Sequence, residues 1–167
     1  MIYSLYGQPG AGKTTLGNLL ADYLNTPFII DGDEFRSFFV NRDYGFGGRK
    51  RNIRSANAVA TYLNKKASQN EWVAIYCKSN GGNSIMGRPV KDGTDVVMSL
   101  VNPYEQFRNE LREDNAGQVI EILLSSDREL RKSFHVKDFE KGNPDYIIET
   151  DQKIEETWDY MKTLLDL

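Results

Sequence analysis

The segment Gly7-Gln8-Pro9-Gly10-Ala11-Gly12-Lys13-Thr14, followed by Thr15, limits this chain to few folds. It fits the phosphate-binding pattern G-x-x-x-x-G-K-[ST]. Glycines let the backbone turn tightly and bring successive N–H groups onto phosphate oxygens. Lys13 supplies a point charge near the β- and γ-phosphates, and the Thr14 hydroxyl is placed to ligate Mg²⁺. Such a loop needs a strand before it and a helix after it, whose N-terminal dipole favours the anion. Both are expected here: Ile2 to Tyr6 reads as a strand. Thr15 to Leu24 reads as a helix with Leu16, Leu19, Leu20 and Leu24 on one face. Gly7, Gly10, Ala11, Gly12, Lys13, Thr14 and Thr15 are therefore candidate ATP-binding residues.

Further strand-like runs are Pro27 to Ile30, Trp72 to Cys77, Val96 to Val101, Val119 to Leu124 and Tyr146 to Ile148. Helical stretches lie between them at Arg51 to Lys66, Tyr104 to Arg112, Arg128 to Phe134 and Lys153 to Leu165. This alternation predicts an α/β three-layer sandwich with a mainly parallel sheet. Its ligand site lies beyond the carboxyl ends of the strands. With 167 residues the chain suits one domain. Residues 78–94, with Gly81, Gly82, Gly87, Pro89 and Gly93, read as an inserted loop or hairpin. Such a segment serves as a lid or binding loop, or is disordered.

Composition excludes some classes. A net charge of −3 argues against a broad nucleic-acid surface. The lone cysteine, Cys77, allows no internal disulfide, and a reducing cytoplasm is the natural setting. Nothing approaches a membrane span, and with Lys13 already functional no leader peptide is expected. Around the lone histidine, His135, no triad or zinc cluster can be built, so histidine-based hydrolysis and a structural zinc site are not expected, and it reads as a surface or lid residue.

After the second strand comes Ile30-Asp31-Gly32-Asp33-Glu34-Phe35-Arg36. Opposite a phosphate loop, Asp31 and Asp33 can hold Mg²⁺ waters and take a proton from an attacking hydroxyl. If Asp33 caps a helix, Arg36 falls one turn later on the same side and can hold an anionic substrate. The bland alternative is a turn with an N-cap and no catalytic role. The run Arg49-Lys50-Arg51-Arg54, with Phe46 the one aromatic nearby, reads as a compact anion site rather than a nucleic-acid patch.

These elements together resemble the adenylylsulfate (APS) kinase family of P-loop kinases. That family joins a P-loop to L-D-G-D-x-x-R, L-G-F-S, R-x-x-N-I-R-R and I-S-P-Y-x-x-x-R. The matching segments here are Ile30 to Arg36, Tyr44 to Gly47, Arg49 to Arg54 and Val101 to Arg108, with Phe134 to Asp138 a weaker match to F-T-G-I-D. The resemblance implies a P-loop nucleoside-triphosphate-hydrolase-like fold. It also implies transfer of the γ-phosphoryl group of ATP, with Mg²⁺, to the 3′-hydroxyl of adenosine 5′-phosphosulfate. Asp33 would be the general base, and Thr14 with Asp31 would serve the metal. Arg36, Arg49 and Asn52 would hold the phosphosulfate, while Phe46 and Phe134 would sandwich the adenine. The family is often dimeric.

The chain also departs from the family. The step from Phe46 to Arg49 is two residues shorter, the lid segment D-P-K-G-L-Y-x-x-A-R is missing, and residues 78–94 are extra. Arg128, Arg131 and Lys132 either fold over nucleotide phosphates as a short basic lid or form the solvated face of a helix. A kinase for a nucleoside, a modified nucleotide or a polynucleotide 5′-hydroxyl is the near alternative, with nucleic acid then only an acceptor. A nucleotide-switched binding module predicts an N-K-x-D motif, which Asn64-Lys65-Lys66-Ala67 does not complete.

Overall fold

A computed structural model of the chain describes residues 1–67, 76–79, 82–85, 95–128 and 131–167, with 67, 76–79 and 82–85 described by backbone alone. Five strands form one parallel sheet in the order β2-β5-β1-β6-β7. They are β1 (Ile2–Tyr6), β2 (Ile29–Asp31), β5 (Val96–Leu100), β6 (Val119–Ser125) and β7 (Tyr146–Glu149). The remaining strands β3 (Tyr76–Ser79) and β4 (Gly82–Ile85) pair antiparallel as a separate sheet. Of the expected strand Trp72 to Cys77, residues 72–75 lie outside the described residues, and Tyr76 and Cys77 belong to this antiparallel pair.

Side-chain alternation assigns each face of the sheet its own helices. Ile2, Val96, Met98 and Leu100 pack with Ile53, Ala56 and Ala60 of α3 (Phe46–Ala67) and Phe107 and Leu111 of α4 (Glu105–Asp114). On the other face, Tyr3, Leu5, Val97 and Ile122 meet Leu16 and Leu20 of α1 (Lys13–Tyr23) and Met161 of α5 (Ile154–Leu165). The result is the α/β three-layer sandwich expected from the alternation. A short helix, α2 (Gly32–Phe38), follows β2 directly.

The expected helix Arg128 to Phe134 is not formed as such. Lys132–Phe134 make one 3₁₀ turn, preceded by Arg131 with φ +54°, and residues 129–130 lie outside the described residues. A left-handed residue cannot continue an α-helix. In the C-terminal helix Met161 is buried, whereas Ile154 is exposed at the first turn.

Because β5 lies between β1 and β2, the chain from β1 crosses over α1 before returning to the sheet edge. The loops after β1, β2 and β5 therefore open into one crevice at the carboxyl ends of the strands.

Candidate active site

The phosphate loop is built by close backbone approach. A Cβ on Gly7 would stand 2.3 Å from the Leu124 carbonyl oxygen, so no larger residue fits beside β6. Gly12 caps α1 with φ +83°, a conformation that favours glycine. Lys13 is buried, and its Nζ donates to the Gln8 carbonyl at 2.7 Å, arching over the loop. Burial lowers its pKa to about 8, against the opposing pull of Asp33 and Asp31 and with a further lowering by Arg131.

Asp31 joins the two halves of the crevice. Its Oδ1 accepts from the backbone N–H groups of Asp33 (3.0 Å) and Glu34 (3.3 Å), capping α2. Its Oδ2 accepts from the Thr14 hydroxyl at 2.6 Å. The helix cap is thus Asp31 rather than Asp33, a correction with a consequence. Asp33 sits inside the first turn, and its exposed carboxylate makes no hydrogen bond among the described residues.

The residues expected to hold the acceptor lie between α2, α3 and the loop after β5. Arg36 is buried; it donates to the Asp43 carbonyl at 2.9 Å and stacks 4.6 Å from the centre of the Tyr44 ring. Burial depresses its pKa. Arg49 and Asp138 both act on the Tyr104 phenol, whose pKa rises first through burial and then through the charge of Asp138. Phe46 meets Tyr104 edge-on, with ring centres 5.0 Å apart. Asn52 is 5% exposed; its Nδ2 donates to the Gly32 carbonyl at 3.3 Å, and its Oδ1 has no partner. Phe46 and Phe134 are both largely exposed, and the ring against Phe46 is that of Tyr104.

The two expected lid arginines part company. Arg131 is close enough to Lys13 to lower its pKa. Arg128 is held at the end of β7, where its guanidinium meets the Thr150 carbonyl and Asp151 Oδ1. Thr15 is exposed and lines a cavity of about 500 Å³ with Asn18 and Trp158, beside α5.

Several site residues are invisible to sequence reasoning. Gln8 exchanges two 2.9 Å hydrogen bonds with the backbone of Val136, fastening a distant loop to the phosphate loop. His135, expected at the surface or in a lid, directs Nε2 to the Pro9 carbonyl at 3.1 Å, so Nε2 carries the proton. Thr150 donates toward Ala11 and Ser125 carbonyls, both at 3.2 Å. Asn102, at the end of β5, has φ +36° and a buried amide with no partner on either atom. Only the asparagine in Asn102-Pro103-Tyr104, where the matched motif has serine, hints at it. Arg108 of that segment is buried against Tyr6 and donates to the carbonyls of Asn102 (2.7 Å) and Glu140 (2.8 Å). It therefore supports the loops around the site.

No protein-family model matches the chain, and neither does any curated protein sequence. Solved structures do match it over nearly its whole length. The Mycobacterium tuberculosis APS kinase CysC, in complex with AMPPNP and APS, shares 17% identity, covers 99% of this chain and 97% of its own, and has a TM-score of 0.70. A gluconokinase from Sinorhizobium meliloti shares 15% identity over 98% of this chain and 90% of its own, with a TM-score of 0.61. A shikimate kinase from Aquifex aeolicus also has a TM-score of 0.61, at 15% identity over 99% and 96%. At these identities the likeness establishes architecture: the chain has the fold of the P-loop kinases.

Proposed function

We propose that the chain is a phosphotransferase acting on an alcohol group, moving the γ-phosphoryl group of ATP to the 3′-hydroxyl of adenosine 5′-phosphosulfate. The observation that carries the reading is the link from Thr14 through Asp31 to α2. One aspartate caps the helix and engages the phosphate loop, leaving Asp33 exposed and unpaired on the same turn. A binding module needs no such free carboxylate opposite Lys13. The motif resemblance from Ile30 to Arg108 supports the acceptor, and the P-loop kinase fold is compatible with it.

The donor set fits Mg²⁺: a hydroxyl and a carboxylate oxygen lie side by side at Thr14 and Asp31, and the ion takes few protein ligands. Held by Thr14 and Asp31, Mg²⁺ would supply charge neutralisation for the phosphates. The chain's own residues would do the rest. Backbone N–H groups of Gly10 to Thr14 and the Lys13 ammonium would hold the phosphates, and Arg131 would add positive charge. Arg49 and Asn52 orient the acceptor so that its hydroxyl faces Asp33. The proton passes to the Asp33 carboxylate as the acceptor oxygen–phosphorus bond forms and the bridging β–γ bond breaks, releasing ADP. Positioning and charge stabilisation carry most of the acceleration. Residues 78–94 are proposed as an insertion in this single domain.

The test is ADP release with a panel of acceptors: adenosine phosphosulfate, nucleosides, gluconate and shikimate. The proposal expects the highest kcat/KM with adenosine phosphosulfate. Turnover confined to the sugar acids would overturn the acceptor, and ATP binding without turnover on any would overturn the enzyme reading.

A further inference from the structure

Beside the acceptor side lies a cavity of about 420 Å³, between the loop 39–43 and the first turns of α3. It is lined by Phe39, Arg42, Arg51, Asn52 and Ser55 among others. Asn52 connects it to the reacting centre, since Nδ2 bonds Gly32, one residue before Asp33. The Oδ1 of that nine-tenths-buried amide is unpartnered.

The surroundings have a definite chemistry. Of the twelve large apolar side chains left exposed among the described residues, five fall in one short stretch: Phe38, Phe39, Val40, Tyr44 and Phe46. Val40 has φ +50°, unusual for a β-branched residue. The loop keeps this turn because Asn41 donates from its backbone to Arg36 (3.0 Å) and from Nδ2 to Gly48 (2.8 Å). The same stretch leads into five cations, Arg42, Arg49, Lys50, Arg51 and Arg54, against one carboxylate, Asp43, in a chain whose net charge is −3. Arg54 is taken up by Glu110, and the Arg51–Asp43 pair at 3.2 Å is exposed, so it exchanges readily for another anion. In sequence Phe46 is the one aromatic near the basic run, but the fold adds Phe39 from α2's end to the lining that Arg51 shares.

Flat aromatic faces interleaved with cations are what single-stranded nucleic acid binds: bases stack and phosphates meet arginine, with little demand on sequence. We infer that this cavity and its aromatic rim hold the nucleotides adjoining the acceptor nucleotide, so that the enzyme phosphorylates a terminal hydroxyl of a single-stranded oligonucleotide. The inference rests on the kinase reading above and widens its acceptor from a mononucleotide to a strand. The chemistry balances as before: the strand's hydroxyl loses its proton, gains a phosphoryl group and leaves ADP.

The experiment measures phosphate transfer from labelled ATP to adenosine phosphosulfate, a mononucleotide, and single strands up to an octanucleotide, for wild type, Arg42→Ala and Phe39→Ala. Wild type is expected to show kcat/KM rising roughly tenfold per stacked base over the first steps of length. Each variant should lose about tenfold on the octanucleotide, through KM, and keep its activity on the monomers. Octanucleotide KM should also rise with salt, as phosphate contacts require. Phe39 stacks on Phe35, so Arg42→Ala serves as the variant that leaves packing intact. Transfer to monomers alone, or variants that affect both acceptor classes equally, overturns the inference and leaves the kinase reading standing. No transfer to any acceptor overturns the kinase reading and the inference with it.

Discussion

Lys13 carries most of the site's electrostatics, and its burial makes a measurable demand. Its ordinary pKa of 10.5 falls to about 8 in the fold. Between those values the unfolded chain binds one proton more than the native protein, so the ligand-free protein gains stability as pH rises through that window. Below about 8 the lysine is charged in both states, and the native state bears the full desolvation. Nucleotide binding runs the other way, because phosphate needs the charged form. ATP affinity should be level up to about pH 7.5 and weaken above about pH 8, by up to tenfold per pH unit. Isothermal titration across pH 6.5 to 9.5 checks this, and Lys13→Arg should flatten the profile. At the same scale, Gly7→Ala forces a Cβ against the Leu124 carbonyl. Overpacking of that kind costs about 1–3 kcal/mol, read as a lower urea midpoint.

Among the elements, α2 shows how a few bonds place the proposed catalytic group, Asp33. The helix has only seven residues and depends on its cap. Asp31→Ala removes both cap bonds and the Thr14 contact. It should cost about 1 kcal/mol in stability and a larger factor in turnover, whereas Asp31→Asn should restore most of the stability. The element scale also shows what can be read from sequence. The phosphate loop and its flanking strand and helix were legible because their constraints are local: tight turns need glycine, and the apolar periodicity changes within a few residues. The Asp-Gly-Asp turn was legible as a turn after β2 facing the phosphate loop but not in detail, because two aspartates compete to cap one helix and the start at Gly32 decides between them. The stretch from Arg128 to Phe134 has a helical charge pattern. Yet Arg128 is drawn to Asp151, and Arg131 takes a left-handed backbone. The bonds Gln8–Val136 and Thr150–Ala11 join residues more than a hundred positions apart, and no local pattern encodes them.

Across the whole molecule, a buried charged cluster links the sheet to the loops that border the site. Arg108 and Glu121 are almost fully buried, 3.7 Å apart, and Arg112 bonds both Glu121 and Asp145 at 2.7 Å. Tyr6, beside Arg108, has its pKa raised to about 12, chiefly by burial. The cluster braces β1, β6 and α4, and through the Asn102 and Glu140 carbonyls it fixes the loops that border the site. Glu121→Gln leaves the buried Arg108 without its carboxylate, while Arg112 keeps Asp145. It should cost about 3–5 kcal/mol. For a chain of this size that lowers Tm by roughly 2–4 °C per kcal/mol.

Phosphoryl transfer to a hydroxyl that Asp33 deprotonates is the claim on which the rest depends. The most direct measurement compares wild type and Asp33→Asn for ATP affinity by titration and for turnover with adenosine phosphosulfate. The predicted result is unchanged ATP affinity with kcat lowered about 10²–10⁴-fold. Full turnover by Asp33→Asn would contradict the account.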